Sequence, residues 1–184
     1  MIAAPVIRAS TPEDIPAITA IYAVHVRQGF ASFELTPPSE ADMARRRHAI
    51  IEAGLPYLVA ELDGRIAGYA YAGPFRPRPA YAATVENSVY VADWAQRRGV
   101  GRALLTVLVQ ACAAAGKQQM IAVIGDSANE ASIALHQAVG FHHVGTLQEV
   151  GFKQGLWLDV VLMQRRLGPD ADTPPTGSAD ISSP

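Results

Sequence analysis

A single cysteine, Cys112, stands in the whole sequence, so no intramolecular disulfide can form. It lies among alanines and reads as a small core side chain rather than a nucleophile. The five histidines do not combine with it or with each other at metal-ligand spacing, so no metal is expected. Neither sign of charge is in excess. The 15 Lys and Arg against 17 Asp and Glu leave a net charge of −2, which speaks against the broad basic footprint of a nucleic-acid binder. The one basic run, Arg45-Arg46-Arg47, falls in a helical pattern and reads as a solvated face. Long apolar runs are also missing. Nothing approaches the ~18 apolar residues of a membrane span, and Met1 to Ser10 holds no run of signal-peptide length. The expected compartment is the cytoplasm, with no membrane and no nucleic acid as partner.

What is present is an ordinary globular composition. Apolar residues make up 49% of 184 positions, enough for one domain with a core. After Leu167 the chain turns to Pro, Gly, Ser, Thr and Asp, too little apolar surface to offset its ordering entropy. The organisation read here is a domain over 1–167 and a flexible tail over 168–184, with no internal repeat.

Strands and helices alternate through the domain. Pro5 to Ala9 reads as a first strand. Thr11-Pro12-Glu13-Asp14 opens a helix, with Thr11 as cap, Pro12 at the first helical position and Asp14 as its reciprocal partner. Phe30 to Pro38 reads as a loop. Ser39 caps a second helix that runs to about Ala53, with Gly54 just past its end. Tyr57 to Leu62 and Arg65 to Tyr71 flank Asp63-Gly64, a two-residue hairpin signal. A strand over Ala82 to Val91, a helix over Gly99 to Ala115, a strand over Met120 to Ile124 and a helix over Asn129 to Val139 follow. Phe141 to Gln148 and Trp157 to Met163 close the domain as strands. The order β-α-α-β-β-β-α-β-α-β-β is α+β, with a mostly antiparallel sheet and one central βαβ unit.

The most informative stretch is Gln96-Arg97-Arg98-Gly99-Val100-Gly101-Arg102, between a strand and a long apolar helix. Its glycines let backbone approach a ligand. The unpaired N–H groups of the first helical turn, with the helix dipole behind them, suit a pyrophosphate. Arg97, Arg98 and Arg102 add positive charge. Taken alone, two glycines at a helix start serve equally for tight packing of helix on strand. The stretch is neither a Walker loop nor the three-glycine dinucleotide fingerprint.

Gln-x-x-Gly-x-Gly after a Val-Tyr-Val strand resembles the acyl-CoA signature of the GNAT acetyltransferases. Asn129-Glu130-Ala131-Ser132, Leu135-His136 and Val139-Gly140-Phe141 resemble that family's next conserved block. The resemblance runs from about Ile7 to Leu167. Thr84 to Val91, Tyr71-Ala72-Gly73-Pro74-Phe75-Arg76 and Gly151 to Asp159 are similar to segments of its phosphinothricin and methionine sulfoximine acetyltransferases, which acetylate the α-amine of small amino-acid analogues.

The resemblance implies a GNAT-type sheet whose strands splay near Val91 and Met120, with acetyl-CoA as co-substrate in the gap. Its pantetheine arm would bond backbone of Val89, Tyr90 and Val91, its pyrophosphate would sit on Arg97, Arg98, Gly99, Val100, Gly101 and Arg102, and Asn129 would meet the arm. Transfer to an amine needs a base to remove a proton. Glu86, a lone carboxylate among small and apolar strand residues, is the candidate, directly or through a water; outside the resemblance it reads equally as a solvent-facing strand residue. A backbone N–H of Val89 or Tyr90 would stabilise the oxyanion. His136 stands where many relatives have tyrosine; it serves either as acid to the leaving thiolate or as packing on its helix. His142 and His143 read as surface strand residues.

An amino-acid acceptor brings a carboxylate, which arginine clamps with two parallel hydrogen bonds. Arg76 and, after it, Arg78 are the candidates. Asn87 and Ser88 beside the base, and Phe33, Phe75, Lys153 and Trp157 as pocket walls, complete the expected substrate contacts. A homodimer through the C-terminal strands is expected from the resemblance. Other amine acceptors, namely a peptide N-terminus, a polyamine or an aminoglycoside, stay open, as does a non-catalytic acyl-CoA sensor. The polycations are disfavoured by the Arg76–Arg78 loop, and the sensor by a base that it would not need.

Overall fold

The structure, a computed structural model, describes residues 4–168, so apart from Gly168 the expected tail lies outside the described residues. The elements are β1 (Val6–Ala9), α1 (Ile15–Gln28), α2 (Glu40–Glu52), β2 (Tyr57–Leu62), β3 (Arg65–Pro74), β4 (Thr84–Val91), α3 (Val100–Ala114), β5 (Gln119–Gly125), α4 (Glu130–Ala138), β6 (His142–Lys153) and β7 (Leu156–Arg166). They follow the expected order. The start signals act as read: Asp14 accepts from the Thr11 N–H at 2.8 Å, and Ser39 Oγ accepts from the Asp42 N–H at 3.1 Å. Asp63 and Gly64 both have positive φ, as a tight hairpin turn requires.

The strands form one sheet in the order β1-β2-β3-β4-β5-β7-β6. Only β4 and β5 run parallel, joined by α3 as the central βαβ unit. The last two strands are longer than the sequence suggested, because β6 continues through Gln148-Glu149 as a bulge. Glu149 there has a φ of 52°, and the shifted register breaks the alternation that a sequence reading depends on.

Helix α3 buries Val100, Leu104, Leu105, Leu108 and Cys112 on the sheet face that carries Ala70, Ala72 and Val85. Helices α1 and α2 cover the other face with Ile18, Ile21, Tyr22, Val26 and Met43. Gly68 marks how close α3 lies: a Cβ there would sit 2.7 Å from the Tyr90 carbonyl and 3.2 Å from Leu104. Among the described residues no helix is long and apolar enough to cross a membrane.

The feature that positions the site is where β4 and β5 part. They pair only from Thr84 with Gln119 to Asn87 with Ala122. From Ser88 onward β4 stays with β3, while Val123 to Gly125 stay with β7.

Candidate active site

Strand alternation divides the residues at the fork between two faces. Even-numbered β4 residues exchange backbone hydrogen bonds with β3: Phe75 donates to the Thr84 carbonyl at 3.3 Å, and Ala92 donates to Ala67 at 2.9 Å in the same register. Odd-numbered residues therefore turn their backbone groups toward β5, which has left. The N–H of Val89 and of Val91 and the carbonyl of Val89 thus face the gap, while the Val91 carbonyl accepts from His25 Nε2 at 3.0 Å. By this parity the Val89 N–H faces the gap, whereas the Tyr90 N–H belongs to the β3 ladder.

The gap opens into a groove of about 530 Å³ lined by Val89, Val91, Arg97, Gly101, Arg102 and Leu135 among others. At one end Gly99 caps α3 with a φ of 80°, a conformation that side-chain-bearing residues resist. The first intrahelical bond runs from Ala103 to Gly99, leaving the N–H groups of Val100, Gly101 and Arg102 free to bind an anion. Gly101 also answers the packing reading, since a Cβ there would lie 3.2 Å from Leu135. Arg97 and Arg102 line the groove. Arg98 does not; it turns away to pair with Asp63 at 2.9 Å. Asn129 borders the groove while capping α4 through the Ser132 N–H. Free N–H groups, open strand backbone and the groove between them fit a pantetheine pyrophosphate chain. No group of three or more potential metal ligands occurs among the described residues.

On the other face of β4, Glu86, Ser88 and Tyr90 line a pocket of about 410 Å³ with Tyr22, Phe33, Glu34 and Tyr71. Glu86 is half-buried, and its carboxylate makes no hydrogen bond among the described residues. Burial raises its pKa above the usual carboxylate range, and Arg76 opposes that shift. Arg76 itself is exposed and leans on the Phe75 ring, 4.9 Å away. Phase by phase along the β3–β4 connection, Phe75 packs edge-on to Tyr81, and Arg78 is exposed; none of the three lines the pocket.

His136 is 4% exposed. Its Nδ1–H donates to the Ser132 carbonyl at 2.7 Å, so Nε2 is the acceptor, and it receives the Asn87 amide at 2.9 Å. Burial lowers its pKa and keeps the ring neutral. Asn87 therefore lies on the groove face with His136, not in the pocket with Glu86. The two share a narrow crevice of about 50 Å³ at the fork itself.

Lys153 is 3% exposed and donates to the carbonyls of Gly29 and Ser32 at 2.7 and 2.6 Å. It clamps the α1–α2 loop, whose Ala31 borders both the groove and the pocket and whose Phe33 walls the pocket. Gly151 makes room for that ring: a Cβ there would lie 2.2 Å from Phe33. Trp157 is 63% exposed and rests against Phe152 on the outer hairpin, away from the pocket of its own chain. Tyr71 enters the sequence reading only as the end of a strand and the first residue of the Tyr71–Arg76 segment of resemblance, and Tyr22, His25, Ala31 and Glu34 are not singled out there as site residues. They lie on elements whose pairing with the fork is long-range, and no local motif marks them.

Residues 7–162 match the family described as acetyltransferase (GNAT) domain. The chain is 53% identical over 169 residues to a phosphinothricin N-acetyltransferase of Alcaligenes faecalis, covering 92% of this chain and 86% of that protein. It is 38% identical to an L-methionine sulfoximine/L-methionine sulfone acetyltransferase of Pseudomonas aeruginosa, covering 91% and 98%. Its fold superposes on a crystal structure of a GNAT superfamily phosphinothricin acetyltransferase from Sinorhizobium meliloti, in complex with AcCoA, with a TM-score of 0.92 and 46% identity over 97% of each chain.

Proposed function

The chain belongs to the GNAT acetyltransferases and is an acetyl-CoA-dependent N-acetyltransferase, and from that premise we propose that Glu86 is the general base for transfer to the α-amine of a small amino acid of the phosphinothricin or methionine sulfoximine type. The observation that carries the reading is the position of Glu86. Its carboxylate is half-buried and unbonded, and it lines the acceptor pocket on the strand whose other face borders the groove.

Acetyl-CoA supplies an activated thioester. The chain's own residues do the rest. The α3 N-terminus and Arg97 hold the diphosphate, and the open backbone of Val89 and Val91 extends the sheet along the arm. Glu86 takes a proton from the acceptor ammonium, its raised pKa bringing it toward that of the amine. The Val89 N–H points where negative charge develops on the carbonyl oxygen. His136, neutral and with both ring nitrogens engaged, orients Asn87 at the fork rather than supplying the thiolate's proton. Arg76 does not line the pocket, but its charge opposes the rise in the Glu86 pKa, and it is the candidate to receive the acceptor carboxylate.

A homodimer belongs to the same reading. The outer face of the β6–β7 hairpin exposes Val150, Phe152 and Trp157, an apolar patch at the edge of the sheet.

The test is acetyl-CoA-dependent thiol release with phosphinothricin, methionine sulfoximine, methionine sulfone, a polyamine, an aminoglycoside and a short peptide. Turnover of the first three, lost in Glu86→Gln, is expected. Turnover confined to the polyamine, aminoglycoside or peptide would overturn the acceptor class.

A further inference from the structure

The open edge of β4 is not bare along its whole length. Val89 and Val91 turn their backbone groups toward the gap, and one of these groups, the Val91 carbonyl, already has a partner. His25 Nε2 donates to it at 3.0 Å, the separation of a bond between paired strands. A carbonyl only accepts, so the ring carries its proton on Nε2 in this contact. Among the described residues, no other side chain bonds the gap-facing backbone of Val89 or Val91. The backbone of His25 is fixed. It lies in the last turn of α1, its carbonyl receives the Gly29 N–H at 3.2 Å, and the next residue, Val26, is fully buried. The half-buried ring is held less firmly. It leans on Tyr90, with centroids 5.3 Å apart, and otherwise borders the groove together with Val89, Val91 and Arg97.

We propose that His25 is a placeholder: its Nε2–H occupies the place on the Val91 carbonyl that an amide N–H of the pantetheine arm takes when acetyl-CoA binds, and the ring turns aside as the arm enters. The inference rests on the reading of the groove as the acetyl-CoA site. An arm that runs from the fork to the start of α3 meets Val89 first and Val91 second. Val91 stands beside that helix start, since a Cβ on Gly101 would lie 3.5 Å from its side chain. To extend the sheet, the arm must donate to the acceptors on this edge from about 2.9 Å. At Val91 that distance is already filled by the ring. In the free protein the contact keeps a half-buried strand carbonyl paired and blunts an open edge. During binding, the arm's bond replaces the histidine's instead of adding to it. His25 therefore holds the affinity below what the groove would otherwise give. The net worth of one such bond corresponds to about two- to tenfold in affinity.

Two measurements on the full chain test this. Calorimetry would compare the Kd of acetyl-CoA for the wild type, for His25→Phe, which keeps a ring against Tyr90 without the donor, and for His25→Leu. The Kd is expected to fall about two- to tenfold in the variants. Weaker binding in both would mean that the ring touches the arm itself, and an unchanged Kd in both would mean that nothing is displaced; either overturns the placeholder. The second measurement needs no variant to fold. NMR of the wild type would follow the His25 Nε2–H together with the Val89 and Val91 amides. The Nε2–H is expected to exchange slowly with solvent in the free protein and quickly at saturating acetyl-CoA, as the two amides shift. Shifted amides with the Nε2–H still protected would overturn the placeholder and leave the groove reading standing. Amides that do not move at saturating acetyl-CoA would overturn both.

Discussion

At the scale of single residues, the site works through groups whose burial sets their protonation. Glu86→Gln is expected to lower kcat about 100- to 10,000-fold, since it removes the proposed base, while acetyl-CoA affinity measured by calorimetry stays unchanged because the groove lies on the other strand face. The wild-type rate should fall toward acid along a limb displaced above the ordinary carboxylate range, as Glu86 gains its proton. Linkage gives the stability sign. A carboxyl whose folded pKa is raised favours the folded state while protonated, and loses that contribution as pH rises through the folded pKa. Glu86→Gln should therefore raise the Tm at pH 8, with the gain vanishing near pH 4; an equal gain at both would show that ionisation is not its cause. His136 shifts the opposite way. Its titration, followed by NMR, should lie below the ordinary histidine range, with the neutral ring carrying its proton on Nδ1. A ring that titrates with an unlowered pKa would restore it as a candidate acid.

At the scale of elements, the outlines of strands, helices and caps were legible because they rest on local signals: Thr11 and Ser39 as caps, Asp63-Gly64 as a turn, Gly99 before α3. The splayed fork and its ligand could be read only through resemblance. Side-chain destinations were not legible at all where a partner lies far along the chain. Arg98 belongs to Asp63 and Lys153 to Gly29 and Ser32, separations of 35 and more than 120 residues. Asn87 and Glu86 are neighbours in sequence but lie on opposite faces of the sheet, which follows from alternation once the strand is fixed. The clamp makes a prediction. Lys153→Met should speed amide exchange in residues 29–34 of the free protein and raise the acceptor KM about tenfold, with a smaller change in kcat. Unchanged exchange in that loop would show that Lys153 does not order it. Gly99→Ala should cost about 1–2 kcal/mol of stability, because the left-handed cap conformation penalises a Cβ, and should weaken acetyl-CoA binding at the same time.

At the scale of the whole molecule, the β6–β7 hairpin joins two functions on opposite faces. Gly151 and Lys153 turn toward the loop over the acceptor pocket, while Phe152, 58% exposed, faces outward with Val150 and Trp157. An apolar edge strand of this kind invites pairing with a second copy, and its burial would hold the hairpin that holds the loop. The wild-type protein should run as a dimer in light scattering, and Phe152→Glu with Trp157→Glu should run as a monomer, since two carboxylates at the centre of an apolar interface lack partners. The groove proposed to hold acetyl-CoA lies between α3, β4 and α4, away from the hairpin, so the affinity should survive in the monomer. The acceptor KM should rise, because the loop seated on Gly151 and Lys153 loses its outer support. A monomeric variant with unchanged acceptor KM would separate assembly from the site and leave the hairpin's apolar face as an interface alone.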